Sequence, residues 1–491
     1  MASLNRRQFL RQCALSTAAL SLLASTRAEE KGNQTNVLST ARRSANEDIR
    51  YAVVGFNQRG QSHLSDMRKV KGTRLVALCD VDRTVLAREI KNAEAKDEKV
   101  KGYTDIRLLL ENKDIDVITI ATPNHWHSLA AIWAIQAGKD VYVEKPVSHN
   151  VWEGRQLVNA AQKYQKIVQS GTQCRSNSGI RDGMAWLHAG KMGKIIRARG
   201  LCYKRRPSIG KVEGPQVVPE SIDYDIWCGP APKEPLMRKK LHYDWHYIWN
   251  EGNGDLGNQG IHQMDLARWA LGQNSLSPRV LSVGGRLGYI DDGQTPNSLI
   301  IYHDYPDAPL IFEVHGLPVK AGSDKMDELR GVSVGLIVDC EGGSMVIRNY
   351  NTSTFFDQSG KEVKKFHGES NHFENFIHAV RSRDASHLNA NVLEGHLSSA
   401  LCHMGNISYR LGKTAALDEI AHSIEKTTDL KEAFGRMQKH LLANDVDLQK
   451  TPALLGGALS MDPKSERFPG NQAANELLTR NYRAPFVVPQ I

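Results

Sequence analysis

Val53-Val54-Gly55-Phe56-Asn57-Gln58-Arg59-Gly60 closes an apolar run that starts at Tyr51 and opens a stretch with helical spacing. The backbone amides of such a turn, with a helix N-terminus behind them, make an anion site suited to a pyrophosphate. Asn57 stands at the usual middle glycine of G-x-G-x-x-G, and asparagine tolerates positive φ better than most residues. Twenty residues after Gly60, the run Leu75-Val76-Ala77-Leu78-Cys79 ends in Asp80, where a carboxylate accepts hydrogen bonds from an adenosine ribose. That acid repels a 2′-phosphate, which favours NAD; the nearby Arg83 keeps NADP as second choice.

Downstream the texture repeats. Arg74 to Cys79, Val117 to Ala121 and Asp140 to Val143 are short apolar runs, separated by helical patterns starting near Gly60, Thr84 and Ser128. Such alternation specifies a parallel sheet covered by helices, so residues 49–170 read as an α/β Rossmann domain. Beyond residue 170 come alternating runs, Arg279 to Leu287, Ser298 to His303 and Leu310 to His315, with helical spacing over Leu256 to Leu271, Phe373 to Arg381 and Leu393 to Leu411. Residues 171–412 therefore read as an α+β C-terminal domain with a mostly antiparallel sheet, whose exposed face would suit a homo-oligomer. Residues 413–491, punctuated by Pro452, Pro463, Pro469, Pro485 and Pro489, read as an irregular C-terminal extension over the surface.

At the other end, Asn5-Arg6-Arg7-Gln8-Phe9-Leu10 precedes the apolar run Cys13 to Ala24 and the small-residue site Thr26-Arg27-Ala28. That order predicts a signal peptide over residues 1–28, resembling the twin-arginine type that exports folded proteins, and hence a periplasmic destination. Residues 29–48 are polar and predict a flexible leader. With 491 residues the chain exceeds one core, and 41% apolar against 24% charged residues is the balance of a folded protein. Loss of the signal removes four arginines and no acid, taking the formal charge from +9 to +5; basic residues lie among acids, which argues against nucleic acid as partner. No run after the signal is apolar enough to span a membrane. The six cysteines beyond Cys13 form no C-x-x-C pair, so no metal and no assignable disulfide are expected.

Two further segments sit at strand ends, where ligands bind in open α/β sheets: Ala121-Thr122-Pro123-Asn124-His125-Trp126-His127 and Val141-Tyr142-Val143-Glu144-Lys145-Pro146. His125 and His127 have no partner cluster for a metal and read as ribose contacts or helix-start packing. With the nucleotide turn, the T-P-x-x-x-H segment and the E-K-P triplet resemble the glucose-fructose oxidoreductase and inositol dehydrogenase family (Gfo/Idh/MocA) over roughly residues 49–412. The resemblance implies a dinucleotide site on Gly55, Asn57, Gln58, Arg59, Gly60, Asp80, Thr122, Pro123, Asn124, His127, Glu144 and Lys145. It also places Lys145 against both substrate and nicotinamide.

The block Gly252-Asn253-Gly254-Asp255-Leu256-Gly257-Asn258-Gln259-Gly260-Ile261-His262-Gln263-Met264-Asp265 is similar to that family's D-x-x-x-H signature, in which the histidine is the general base. In a helix starting near Leu256, positions 258, 262 and 265 share one face. Asn258 replaces the family's aspartate. An amide orients a hydroxyl or an imidazole but takes no proton, so His262 has no carboxylate behind it unless Asp265 substitutes; the plainer role for Asp265 is pairing with Arg268. Arg175, Tyr203, Arg205, Arg206, Trp245 and His246 are candidate substrate contacts, since rings stack on sugar C–H faces and guanidinium groups bind hydroxyls; ordinary packing and surface charge explain them equally well.

The expected reaction takes hydride from a carbinol of a sugar or polyol, with His262 as base, Lys145 stabilising the alkoxide and the cofactor tightly held. Two alternatives stand beside it. One is an NAD-dependent glycosidase or lyase acting through transient sugar oxidation. The other is a non-catalytic carbohydrate- or nucleotide-binding protein in which Asn258 records lost chemistry.

Overall fold

The computed structural model describes residues 48–491, so the signal peptide and all but the last residue of the leader lie outside the described residues. Strands β1 (Ile49–Val54), β2 (Thr73–Cys79), β3 (Lys101–Tyr103), β4 (Val117–Ile120), β5 (Asp140–Val143) and β6 (Val168–Ser170) form one sheet in the order β3-β2-β1-β4-β5-β6. All five pairings are parallel. Every residue of β4 and β5 is buried, as a sheet covered on both faces requires. The chain direction across the sheet reverses between β1 and β4. That switch point opens a crevice at the carboxyl strand ends.

A second sheet carries β7 (Ile195–Tyr203), β8 (Arg279–Gly285), β9 (Ser298–His303), β10 (Leu310–His315), β11 (Val334–Cys340), β12 (Gly343–Ile347), β13 (Thr352–Asp357) and β14 (Glu362–His367). Its order is β14-β13-β12-β11-β7-β10-β9-β8, with only β7 and β10 parallel among these. The helices Ser178–His188, Ile261–Ala270 and Val392–Arg410 cover one face, sealing a core that includes Ala198, Phe312, Leu336, Met264 and Leu401. All six described cysteines are buried and unpaired.

Two long-range returns tie this half to the first. Phe373 and Phe376 of the helix His372–Ser382 enter the nucleotide-side core, where Phe373 stacks on Tyr142 at 4.5 Å. Val147 N donates to Ser399 Oγ at 3.2 Å, holding the Val392–Arg410 helix against the segment after β5.

The C-terminal extension differs from the irregular wrap that its prolines suggest. Residues between Lys413 and Pro452 form the helices Leu417–Ile424 and Thr428–Leu442, which lay Ile420, Phe434, Met437 and Leu441 on Val283, Ile300 and Ile311 of the sheet's outer face. Polar groups of that face are also met: Arg199 pairs with Asp429 at 3.1 Å, and Glu313 pairs with Arg436. The face expected to be exposed and to suit a homo-oligomer is therefore occupied by the chain's own helices. After Pro452 the chain does wrap the surface, adding Leu454–Leu455 and Leu459–Ser460 beside β8 and ending with Ile491 N on Gln156 Oε1 at 2.8 Å.

Candidate active site

The turn after β1 depends on two glycines. Gly55 has φ +74°, and a Cβ there would lie 2.9 Å from Thr122 N; a Cβ on Gly60 would lie 2.1 Å from Gly55 O. Asn57 is not among the positive-φ residues, so its tolerance of that region is not what the turn uses. Among the described residues no side chain caps the helix Arg59–Met67; Gln61 N turns back onto Gln58 O at 2.9 Å, and the amides ahead of it are left to an anion. Asp80 accepts from Phe56 N at 3.1 Å and Asp82 N at 3.0 Å and is pushed up by its burial, which those bonds oppose. Arg83 donates to Glu220 O, which directs it away from Asp80 and removes the argument for NADP that it supplied. These features fit a dinucleotide: a backbone cradle that side chains would fill, an uncapped helix start and an acid at the ribose end.

One cavity is lined by Gly55, Asn57, Gln58, Arg59, Asp80, Thr122, Pro123, Asn124, His127, Glu144 and Lys145, together with Asn258, Trp245 and His246. Gly60 lies beneath it as a packing residue. His127 reaches Pro146 O at 2.6 Å and Thr122 O at 2.8 Å, fastening the E-K-P turn to the T-P turn. His125 is spent on Glu251 O and Trp227 O. Glu144 is buried; although burial opposes ionisation, Arg59 at 2.7 Å and His63 at 3.1 Å hold it well below the carboxylate range.

Lys145 Nζ donates to Asn258 O at 2.6 Å, with Asn258 Oδ1 at 3.5 Å. Burial, aided by Arg59, Arg206 and Lys204 and opposed by Glu144, pushes Lys145 down to about 8. The helix expected from Leu256 begins as a π turn over Leu256–Gly260 and becomes α-helical at Ile261. Such wide turns recur at functional sites. Here it presents both Asn258 oxygens to Lys145. Burial and the Lys145 charge push His262 down to about 3, and its Nδ1 has no hydrogen-bond partner among the described residues, so Asn258 does not orient the imidazole. Asp265 does not stand in for a carboxylate behind His262. It is tied to Arg175 at 2.8 Å and to Ser398 Oγ at 2.7 Å, with Arg268 at 3.9 Å.

The substrate candidates divide. Trp245 and His246 stack at 3.6 Å on the cavity wall, and Arg206 is held near Lys145 by Asp255 at 2.7 Å and Tyr243 Oη at 2.9 Å. Three others fail. Arg175 is buried between Asp265 and Glu394; Tyr203 is buried on the opposite face of the sheet, donating to Glu313 at 2.8 Å; Arg205 is exposed and pairs with Asp324. In each case alternation along the strand or an unseen acid decides where the side chain goes. Sequence reasoning missed Tyr350, whose ring lies 5.4 Å from His262 and whose hydroxyl meets Gln259. Tyr350 carries no local motif. His242, from the same aromatic stretch as the candidates Trp245 and His246, lines the cavity with them and bonds Asp82 at 3.0 Å.

A dinucleotide-type crevice that runs from a glycine turn to the half-buried Lys145 and to Asn258, with His262 outside its lining, is the arrangement of a nucleotide-dependent fold of the oxidoreductase type. Residues 49–172 match the family model described as the oxidoreductase family, NAD-binding Rossmann fold, and residues 191–312 match its C-terminal alpha/beta domain. The chain belongs to the Gfo/Idh/MocA oxidoreductase family, with an NAD-binding Rossmann domain. Among curated relatives, glycosyl hydrolase family 109 protein 2 of Shewanella sp. (strain ANA-3) is 31% identical over 177 residues, 34% of this chain and 39% of that protein. An alpha-N-acetylgalactosaminidase of Shewanella oneidensis is 31% identical over 178 residues, again 34% and 39%. The chain thus spans about two fifths of the length of the curated relatives it matches. The solved WlbA dehydrogenase from Chromobacterium violaceum, in complex with NADH and UDP-GlcNAcA, superposes with TM-score 0.57 at 19% identity, covering 75% of this chain and 95% of that one. At that identity the likeness is one of fold.

Proposed function

We propose that this protein is an NAD-dependent oxidoreductase acting on a carbinol of a sugar or sugar derivative, with the cofactor retained through turnover. The observation that carries the reading is one cavity that joins the turn Gly55 to Arg59 and Asp80 to Lys145 and Asn258. Bound NAD supplies the hydride acceptor. The chain's own residues hold the substrate hydroxyl and manage its proton. Lys145 Nζ, fixed by Asn258 O, is placed to donate to the carbinol oxygen and stabilise developing negative charge. With a pKa near 8 it is also better matched to proton transfer near neutral pH than His262 near 3, which stands by as a neutral acceptor. Trp245 and His246 offer a flat wall to a sugar ring. In the same reading the Arg6-Arg7 segment exports the folded, loaded protein to the periplasm.

A second reading is favoured by the glycosyl hydrolase relatives: oxidation acidifies the C–H beside the new carbonyl, the glycosidic substituent is eliminated, water adds, and the hydride returns. Both are tested by purifying the protein, measuring bound nucleotide, and adding a panel of sugars and aryl glycosides. About one nucleotide per chain with at most one equivalent of nicotinamide reduced supports retention; release of the aglycone without net reduction selects the glycosidase. A cofactor-free protein that reduces added NAD through many turnovers overturns retention, and no redox change with any sugar overturns the oxidoreductase reading.

A further inference from the structure

His315, the last residue of β10, points away from the His262 helix: Phe312, three residues earlier, faces that helix within reach of Gly260, and odd positions of the strand face the other side. There the ring of His315 is sandwiched between Tyr203 at 4.0 Å and His440 at 4.3 Å. His440 comes from the tail helix Thr428–Leu442, and Asp327 comes from the loop before β11. Asp327 Oδ2 lies 3.4 Å from Nδ1 of His315 and 3.4 Å from Nδ1 of His440. Both histidine side chains are completely buried, while Asp327 keeps 29% exposure.

This cluster is poorly explained by hydrogen bonding. Among the described residues, all four imidazole nitrogens of His315 and His440 lack a hydrogen-bond partner, a state that buried polar atoms rarely keep. The 3.4 Å contacts exceed ordinary N–H···O lengths of about 2.7–3.2 Å. In spacing they suit a shared ion better, which the near-parallel His315 and His440 rings, 19° apart, would reach by a turn that brings both in-plane lone pairs to one point. Tetrahedral zinc holds its nitrogen and oxygen donors at about 2.0–2.2 Å, which separates neighbouring donors by about 3.3 Å. The donor atoms of the three residues all lie within 4.8 Å of one another, and both rings turn Nδ1 towards the carboxylate.

We propose that His315, Asp327 and His440 form a divalent transition-metal site, with zinc the best-matched ion and water in the fourth position on the partly exposed Asp327 side. Imidazole and carboxylate donors suit zinc and its neighbours in the first transition row, whereas magnesium and calcium prefer oxygen-only sets. The three ligands belong to a strand, a loop and the tail helix, so the ion clips the C-terminal helical pair onto the sheet. Being on the opposite face from His262, the site serves structure rather than the redox reaction. Its ligands lie 12 and 113 residues apart, which is why no metal spacing shows in the sequence.

The test uses tag-free, full-length protein equilibrated with zinc and then freed of unbound metal. Elemental analysis should find one zinc per chain, cobalt substitution should give tetrahedral visible absorption, and X-ray absorption at the zinc edge should show two imidazoles. Asp327→Asn and His440→Gln should each lose the metal and the rise in melting temperature that zinc confers, yet bind NAD as the parent does. Substoichiometric zinc, cobalt bound without tetrahedral bands, or metal retained unchanged in both variants overturns the proposal. The wild-type spectra decide the matter even if a variant fails to fold.

Discussion

Replacing Asn258 with aspartate puts a carboxylate at the place of the present Oδ1, 3.5 Å from Lys145 Nζ. Unit charges about 4 Å apart attract by about 4 kcal/mol at an effective dielectric constant near 20. At about 1.4 kcal/mol per pKa unit this caps the shift near three units, and opposite charges at such range typically move a pKa by about 1–3. The sign is upward, because the new anion favours the ammonium form. Lys145 titrates near 8, depressed chiefly by burial, so the Asn258→Asp variant should titrate between about 9 and 11. Competitive labelling with acetic anhydride across pH, with the Lys145 peptide quantified against exposed lysines by mass spectrometry, reads this without knowledge of the substrate. If the ammonium is the working form, any alkaline fall in turnover moves with it. A wild-type Lys145 that titrates with free lysines near about 10.4 would refute the burial argument. Superimposed curves for wild type and variant would refute the contact with Asn258.

Four other outcomes follow from the packing. Gly60→Ala sets a Cβ 2.1 Å from Gly55 O, so the nucleotide turn must move; calorimetry should show NAD binding weakened about tenfold or more, about 1.4 kcal/mol, with the fold retained by circular dichroism. Arg175→Ala leaves Asp265 without its 2.8 Å partner inside the core and should cost about 3–5 kcal/mol in urea unfolding; a large change in substrate KM without loss of stability would restore the substrate-contact assignment. Phe434→Ala opens a cavity under the tail helix and should cost about 3–5 kcal/mol, while removal of residues 413–491 should yield aggregates on gel filtration because Ile300 and Ile311 lose their cover.

The parallel sheet was legible because its strands are buried on both faces and read as plain apolar runs, as at Val117 to Ala121 and Asp140 to Val143. β3 and β6, each three residues long, are too short to register as a pattern. At the site, Gly55, Asp80 and Lys145 announced themselves through local motifs at strand ends. The failures share one cause: a side chain's destination depended on a partner remote in sequence. Arg175 looks free until Asp265 and Glu394 arrive, and Tyr203 looks like a pocket aromatic until Glu313 fixes it on the other face of β7. Five prolines gave the tail an irregular appearance. All five lie at or after position 452, beyond the two helices, whose apolar positions Ile420, Phe434 and Leu441 were the better guide.

The tail bears on the proposed retention of cofactor through its contacts with the walls of the cavity. Arg480 Nη1 donates to Asn250 O at 2.9 Å while its Nε lies 3.4 Å from Glu153; Arg483 Nη1 donates to Asp225 at 2.9 Å, and Phe486 packs 5.5 Å from Trp126. Glu153 and Trp126 belong to the nucleotide side, whereas Asp225 and Asn250 flank the segment that brings Trp227 and Trp245 to the cavity. The last dozen residues therefore fasten two walls of one cavity. An enclosed ligand leaves by opening such walls, and every ionic or aromatic contact that must break first slows the opening. Slow opening serves a protein that reuses one nucleotide, because hydride taken from a substrate then stays until it is returned. In the proposed reading, these tail contacts weigh towards chemistry that ends redox-neutral, because hydride held with a retained nucleotide must be returned before the next cycle.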